Sequence, residues 1–201
     1  DAAFQMLSAE GVDALTTRHL AEVAQMSPKT VYNVFGSKAE LLNAMIEDLP
    51  NRAPKHAASE RRGDALDAIL ARLDLITEEW VSQGSPIRSL LVAAKRNGEL
   101  ASTMVPGVRL KLVEALTVFK AKDWLEDTVP ISVLASQIAY ANAGLFDQFL
   151  AGSGTDDDLW KSHRINLLVP LRATARSILS KKIDARIRET LDRYSGVREE
   201  G

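Results

Sequence analysis

The first fifty residues alternate short apolar stripes of helical spacing with tight polar breaks. In "DAAFQMLSAEG", Phe4, Leu7 and the small Ala2 and Ala3 recur at helical spacing, and Gly11 supplies a stop. Leu20, Val23 and Ala24 give "TRHLAEVA" an inward stripe that Thr16 or Thr17 can cap. Gln25 and Met26 then form a turn that sends the chain sharply back. Ser27 caps the next helix, with Pro28 at its first position, where a missing amide hydrogen costs nothing. Val31 and Phe35, four apart, face the core. Gly36 ends this helix, and Ser37 with Glu40 three residues on is a capping box for a fourth, which carries Leu41, Leu42, Met45, Ile46 and Leu49 up to Pro50. The helix from Ser27 is therefore held at both ends. Its edge of Lys29, Thr30, Tyr32 and Asn33 has no apolar work and is rigidly presented.

"PNRAPKHAASERRGD", rich in Pro, Ala and charge, marks a boundary and divides the chain into 1–49 and 50–201. Beyond it the pattern is helical over about 64–82, 86–97, 106–125, 131–150 and 158–192. The interruptions fall at Gly84-Ser85-Pro86, Asn97-Gly98, Met104-Val105-Pro106-Gly107, Val129-Pro130 and Gly152-Ser153-Gly154. Pro170 leaves two options for the last segment, one kinked helix or two helices. No strand alternation or internal repeat accompanies these patterns. The expected fold class is all-α, a helix-turn-helix domain followed by a larger helical one.

Composition changes this picture little. With 46% hydrophobic and 26% charged residues the chain is ordinary for a folded protein. No run of eighteen apolar residues spans a membrane and no signal-peptide pattern opens the chain, so a cytoplasmic protein is expected. It has no cysteine, which removes disulfides and thiolate chemistry. The net charge of -2 conceals a contrast: residues 121–160 hold seven acids against Lys122, and residues 161–194 hold nine bases against Asp184, Glu189 and Asp192. These blocks read as solvated helix faces that partly neutralise each other. His19, His56 and His163 form no ligand spacing, "GSGTDDD" lacks the strand and lysine of a phosphate loop, and no nucleophile motif occurs. No catalytic residue, metal site or cofactor is expected.

Residues 16–35 meet the physical requirement of a helix-turn-helix reader: a bracing helix, a tight turn, and a short helix polar on one side whose N-terminal residues reach base edges. Ser27 and Lys29 suit phosphate, Thr30 and Asn33 suit base edges, and Tyr32 can lay its ring on sugar. Arg18 and Lys38 flank them as phosphate contacts. "LTTRHLAEVAQMSPKTVYNVFGSKAELLNAM", preceded by "AAFQMLSAEGVDA", resembles the N-terminal domain of the tetracycline-repressor (TetR) family of bacterial regulators. The resemblance implies an all-helical homodimer that binds double-stranded operator DNA and is released from a palindrome by a small molecule. Carried over by motif, the DNA contacts fall on Thr17, Arg18, Ser27, Lys29, Thr30, Tyr32, Asn33 and Lys38. It also implies that the first helix is truncated here at its N-terminus and that a basic arm precedes it.

Two positions depart from the family pattern. Gln25 stands where glycine is common and must adopt a left-handed backbone or shift the turn, and Val34 replaces a ring that would reach phosphate. In the second domain Trp80, Met104, Trp124, Tyr140 and Phe146 are candidates to line a pocket for a small, mostly apolar effector, with Asn97, Gln137, Asn142 and Asn166 as polar groups to orient it. Val133, Leu134, Ile138, Leu145, Leu167, Leu168, Leu171 and Ile178, on segments 131–150 and 158–180, are candidates for a dimer interface built as a four-helix bundle. The competing reading is a helical interaction module, or a ligand-binding protein on the same scaffold without operator binding. The absence of any acid from 27 through 38 favours phosphate as the partner of that edge.

Overall fold

The computed structural model describes residues 1–52, 64–82, 85–96 and 100–194. Among them lie ten α-helices: α1 (Ala2–Glu10), α2 (Thr17–Val23), α3 (Pro28–Phe35), α4 (Lys38–Arg52), α5 (Ala65–Val81), α6 (Pro86–Arg96), α7 (Leu100–Ala121), α8 (Ile131–Leu150), α9 (Asp156–Thr174) and α10 (Ser177–Tyr194). A single 3-10 turn, Val12–Ala14, follows α1. The one β feature among the described residues is an isolated antiparallel bridge between Leu125 and Ala175, so the fold is all-α.

The chain forms two compact units. The first combines Asp1–Arg52 with Glu78–Met104, and the second Ala53–Thr77 with Val105–Gly201. Each unit is therefore built from two stretches of sequence rather than one continuous half. In the first unit Ala3, Met6 and Leu7 of α1, Leu15 just after the 3-10 turn, Leu20 and Ala21 of α2, Val31 of α3, and Leu41, Leu42, Met45 and Ile46 of α4 are buried. Helix α6 packs on α4, on the 3-10 turn and on α1, burying Leu90, Leu91 and Ala94 completely. Val23, expected inward, is exposed, because the inward arc of α2 runs through Leu20 and Ala21 instead. Helix α4 does not stop at Pro50 but continues to Arg52. Arg52 pairs with Asp48 one turn back and with Asp1, and its guanidinium lies 3.9 Å from the centroid of the Phe4 ring, so three contacts hold the turn beyond the proline.

The core of the second unit is a continuous cluster from α5 (Leu66, Leu70, Leu73), α7 (Leu112, Leu116, Phe119), α8 (Leu134, Ile138), α9 (Leu167, Leu168, Leu171) and α10 (Leu179, Ile183). Helix α9 packs against both α8 and α10. The expected break at Met104–Gly107 is absent, and α7 begins at Leu100 with Pro106 inside it. A proline there forfeits one amide hydrogen bond. Val105, Leu112, Leu116 and Phe119 keep one buried helical stripe across it. The last segment is two helices, but the break falls at Ala175, whose backbone is extended, and not at Pro170, which sits within α9. The bridge explains the position: the amide of Glu126 donates to the Thr174 carbonyl at 2.8 Å and that of Arg176 to the Trp124 carbonyl at 2.8 Å. Helix α9 begins at Asp156, with Thr155 as its cap. Thr155 and Asp158 form a reciprocal capping box, and Asp156, Asp157 and Asp158 place negative charge at a helix N-terminus, where the macrodipole favours it.

Five of the eight dimer candidates lie in this core. Leu134, Ile138, Leu167, Leu168 and Leu171 are at most 3% exposed, and side chains so enclosed cannot meet a second chain without dismantling their own unit. Leu145 is half-buried, while Val133 and Ile178 are exposed. Six of the nine bases between 161 and 194 are paired: Lys161 with Asp158, Arg164 with Asp74, Arg172 with Asp184, Arg176 with Asp123, Lys182 with Asp64, and Arg186 with Asp67 and Glu189. The positive block is thus consumed largely within its own unit.

Candidate nucleic-acid interface

Helix α2 is capped by Thr16, whose hydroxyl accepts from the His19 amide at 3.2 Å, and Thr17 is its first residue. Its C-terminus closes with the Met26 amide donating to the Ala21 carbonyl (2.9 Å) and the Gln25 amide to the Glu22 carbonyl (3.2 Å), the paired closure of a Schellman motif. That closure requires a left-handed residue, and Gln25 adopts it with φ 53°. A non-glycine residue there costs on the order of 1 kcal/mol. Met26 and Ser27 follow, and α3 starts at Pro28, three residues after Gln25.

Ser27 caps α3 by accepting from the Thr30 amide at 3.0 Å, and its hydroxyl also bonds the Thr30 hydroxyl at 2.8 Å. Gly36, at φ 65°, ends α3. The capping box then forms as expected: the Ser37 amide and hydroxyl donate to Glu40 Oε2 at 2.8 and 2.9 Å, and the Glu40 amide donates to Ser37 Oγ at 3.2 Å. A Cβ at Gly36 would lie 2.3 Å from Glu40 Oε2, so the box and the glycine are mutually dependent. Val31 is buried and Phe35 half-buried, which fixes the face of α3 turned inward.

Ser27, Lys29, Thr30 and Asn33 are exposed, and Tyr32 and Val34 are each 64% exposed. Structure and sequence agree that this is one continuous outward surface of a short helix. Of the flanking candidates, Arg18 is exposed and within 3.7 Å of Glu22. Thr17 is half-buried, and half-buried Lys38 donates to the Asp13 carbonyl at 3.3 Å, which orients its ammonium beside the 3-10 turn. The acids of this segment are mostly engaged away from α3. His19 Nε2 lies 2.8 Å from Glu10 and Nδ1 3.4 Å from Glu22, and hydrogen bonds to Glu10 and then Glu22 hold its imidazole above the ordinary 6.5. Glu40 is in the capping box, and Asp1 and Asp48 serve Arg52.

The effector candidates are divided between the two units. Trp80 and Met104 belong to the first unit, where Trp80 is buried and its carbonyl accepts from Arg88 at 2.8 Å. Trp124, Tyr140 and Phe146 belong to the second, in three different settings. The Trp124 ring meets Phe119 edge-on at 5.6 Å with the Lys122 ammonium 4.8 Å from its centroid, Tyr140 is 66% exposed, and Phe146 is buried edge-on against His163 at 4.8 Å. Tyr140 lines an open groove with Arg109, Ser132, Val133, Ser136, Gln137, Ala141 and Pro170. Of the polar candidates, Asn142 is buried and accepts from Asn166 at 3.1 Å, Gln137 is exposed, and Asn97 lies outside the described residues.

Sequence reasoning missed a buried polar row in the second unit. Thr77 Oγ1 donates to the Leu73 carbonyl (2.9 Å) and therefore accepts from His163 Nδ1 (2.7 Å), which assigns the proton of the neutral imidazole to Nδ1. Burial pushes the His163 pKa down to about 4, with the Asp74 charge only partly opposing it. Arg164 grips Asp74 through both Nε (2.8 Å) and Nη2 (2.6 Å). The cue available was one turn of α9 in which His163 and Arg164 fall on the inward arc of Leu159, Leu167 and Leu171, which marks buried polar groups that need partners. Among the described residues no group of three or more His, Asp or Glu could hold a metal ion, and no helix is long and apolar enough to cross a membrane.

A capped three-helix unit with a short, polar, rigid second helix in its helix-turn-helix defines a member of the helix-turn-helix proteins. Residues 1–45 match the family described as bacterial regulatory proteins, tetR family. Over 127 residues it is 32% identical to the HTH-type transcriptional regulator BetI of Rhizobium meliloti, a match spanning 54% of this chain and 62% of that protein. Over 97 residues it is 36% identical to Rv1556, an uncharacterized HTH-type transcriptional regulator of Mycobacterium tuberculosis, spanning 48% of this chain and 46% of that one. The chain thus aligns with about half the length of the curated relatives it matches. The transcriptional repressor QsdR of R. erythropolis, of the TetR family, shares the fold at a TM-score of 0.67 with 21% identity, over 88% of this chain and 93% of that one.

Proposed function

We propose that the chain is a transcriptional regulator that binds double-stranded DNA through α3. The observation that carries this reading is the surface of α3: Ser27, Lys29, Thr30, Tyr32 and Asn33 are exposed on a helix fixed at both ends, and no acid lies among them. Lys29, Arg18 and Lys38 contact phosphate, Ser27 and Thr17 offer hydroxyls to it, Tyr32 lays its ring on sugar, and Thr30 and Asn33 lie toward the groove. Two such helices address a palindrome when a second copy is related by a two-fold axis. The interface is the outer face of α8 and α9, where Val133, Tyr140 and Val169 are exposed beside the small residues Ser136, Ala141 and Gly144. A small, mostly apolar molecule bound by the second unit regulates DNA binding, with the buried Thr77, His163 and Asn142 as polar groups of that interior.

The test is fluorescence anisotropy on double-stranded DNA enriched by the full chain from a random library. Lys29→Ala is expected to weaken binding and to reduce the log-log salt slope by about one, the signature of one lost phosphate contact. A slope and affinity unchanged by Lys29→Ala and by Lys38→Ala remove both lysines from the interface, and a library without enrichment refutes the DNA reading.

A further inference from the structure

We propose that one edge of α3 reads DNA through methyl groups: Val34 and the Cγ2 methyl of Thr30 recognise the C5-methyl of a thymine in the major groove. This rests on the DNA reading above and names the chemistry of its base contact. Val34 is the starting point. Its isopropyl group is 64% exposed on a helix whose inward face is already supplied by Val31 and Phe35, so packing gives no reason for an apolar side chain there.

Thr30 stands four residues before Val34, so the two lie one above the other along a single edge of the helix. Lys29 and Tyr32, three apart, occupy the opposite edge, and Asn33 lies between them. The Thr30 hydroxyl is committed to Ser27 Oγ at 2.8 Å, and the same Oγ takes the Thr30 amide at 3.0 Å. With the hydroxyl held at the cap, the methyl is the part of Thr30 left for a base edge. This edge therefore offers three methyl groups, one from Thr30 and two from Val34, within a single turn of helix. In the major groove the thymine C5-methyl is the apolar group that a base pair presents, and the other edges are hydrogen-bond donors and acceptors. The opposite edge is chemically different, an ammonium and a phenol suited to backbone. The helix is thus divided into a phosphate side and a methyl-reading side, with the Asn33 amide between them free to pair with an adenine edge.

The experiment uses the full chain and the double-stranded DNA it selects from a random library. Each thymine of the selected site is replaced in turn by deoxyuridine, which removes the C5-methyl and leaves the base-pairing atoms unchanged. At one thymine of each half-site the replacement weakens binding about fourfold, the loss of one methyl from an apolar contact. With Val34→Ser the penalty at that thymine falls toward unity, and with Thr30→Ser, which keeps the hydroxyl bond to Ser27, it falls in part. A selected site with no uracil-sensitive thymine overturns the proposal, as does a penalty that persists undiminished in Val34→Ser. The uracil scan is made on the unmodified protein, so the first of these outcomes does not depend on the folding of any variant. Failure to enrich any sequence overturns the DNA reading itself, and the methyl contact falls with it.

Discussion

His163 gives the stability of this protein a pH dependence whose sign and size follow from its surroundings. The imidazole is buried between Thr77 and Phe146, donates from Nδ1 to the Thr77 hydroxyl, and faces the Asp74–Arg164 pair. Its pKa falls from 6.5 to about 4 because burial disfavours the cation. The unfolded chain therefore takes up a proton at higher pH than the folded one, and stability is fully present above 6.5 and declines as pH falls toward 4. The limiting loss is about 3 kcal/mol, and about 2 kcal/mol of it is gone by a pH of about 5. Two other groups must be kept apart from this effect. Asp64, where burial is outweighed by Lys182 and the amides of Asp67 and Leu66, and Asp127, beside Lys120, have carboxyls held below 3.8 and lose their contribution only at lower pH. His19, raised by Glu10 and Glu22, acts with the opposite sign: its contribution is complete below 6.5 and lost above it. The assay is urea unfolding followed by far-UV circular dichroism across this range, on the wild type and on His163→Asn. The asparagine amide keeps a donor for Thr77 but does not titrate, so the variant starts less stable from the cavity it leaves and then loses less stability with acid. Parallel losses in the two proteins between pH of about 7.5 and about 5 would refute the assignment to His163.

Three further outcomes test the local geometry. Gln25→Gly relieves a left-handed glutamine and is expected to stabilise the chain by about 0.5–1 kcal/mol in urea unfolding; no gain would mean that the strain is absent. Gly36→Ala forces Glu40 out of its box and costs about 2 kcal/mol, whereas Gly152→Ala, also at positive φ but with nothing near its Cβ, costs about 1 kcal/mol; equal losses would show that the Glu40 contact contributes nothing. Asp74→Ala strands the largely buried Arg164 and costs about 3 kcal/mol or more, most of which the double variant with Arg164→Met restores; an equally unstable double variant would show that Asp74 acts through some other contact.

The helix-turn-helix end was legible because its determinants are local. A cap, a proline at the first helical position, a glycine stop and a capping box each involve residues three or four apart, and all of them form: Ser27 to Thr30, Pro28, Gly36, Ser37 to Glu40. Even the cost foreseen at Gln25 is present as a positive φ. The helices of the second unit were legible in approximate span, but their number was open at Pro170 and their ends were less clear. Proline marks an expected boundary at Pro50 and Pro106 and either a kink or a boundary at Pro170, and in each case the chain stays helical through it. A buried stripe on both sides of Pro106 outweighs the one hydrogen bond a proline forfeits, and that stripe is a tertiary fact. The break at Ala175 depends on a partner fifty residues away, Leu125, which local sequence does not announce.

The least legible feature was the division of apolar residues between core and surface. Leu134, Ile138, Leu167, Leu168 and Leu171 were suited by type to an interface, yet they close the core of their own unit. An interface and a core ask for the same residues, and only their positions around the helix separate them. On α8 the inward arc takes Leu134, Ile138, Asn142 and Phe146, so what faces outward is smaller and more mixed: Val133, Ser136, Tyr140, Ala141 and Gly144. Small residues let two helices approach closely, and a tyrosine among them supplies area at low entropic cost. A surface of this kind does not stand out by hydrophobicity, because a whole non-obligate interface is about as apolar as the rest of a protein surface. Charge followed the same logic in reverse. The basic block from 161 to 194 drew attention by composition, but pairing with Asp64, Asp67, Asp74, Asp123, Asp158 and Asp184 engages most of it within its own unit. Lys29, one of three Lys and Arg residues in the acidic first fifty, stands exposed on α3 with no acid on its helix. What suits a charge for DNA is its freedom from local partners, and neither net charge nor charge density measures that.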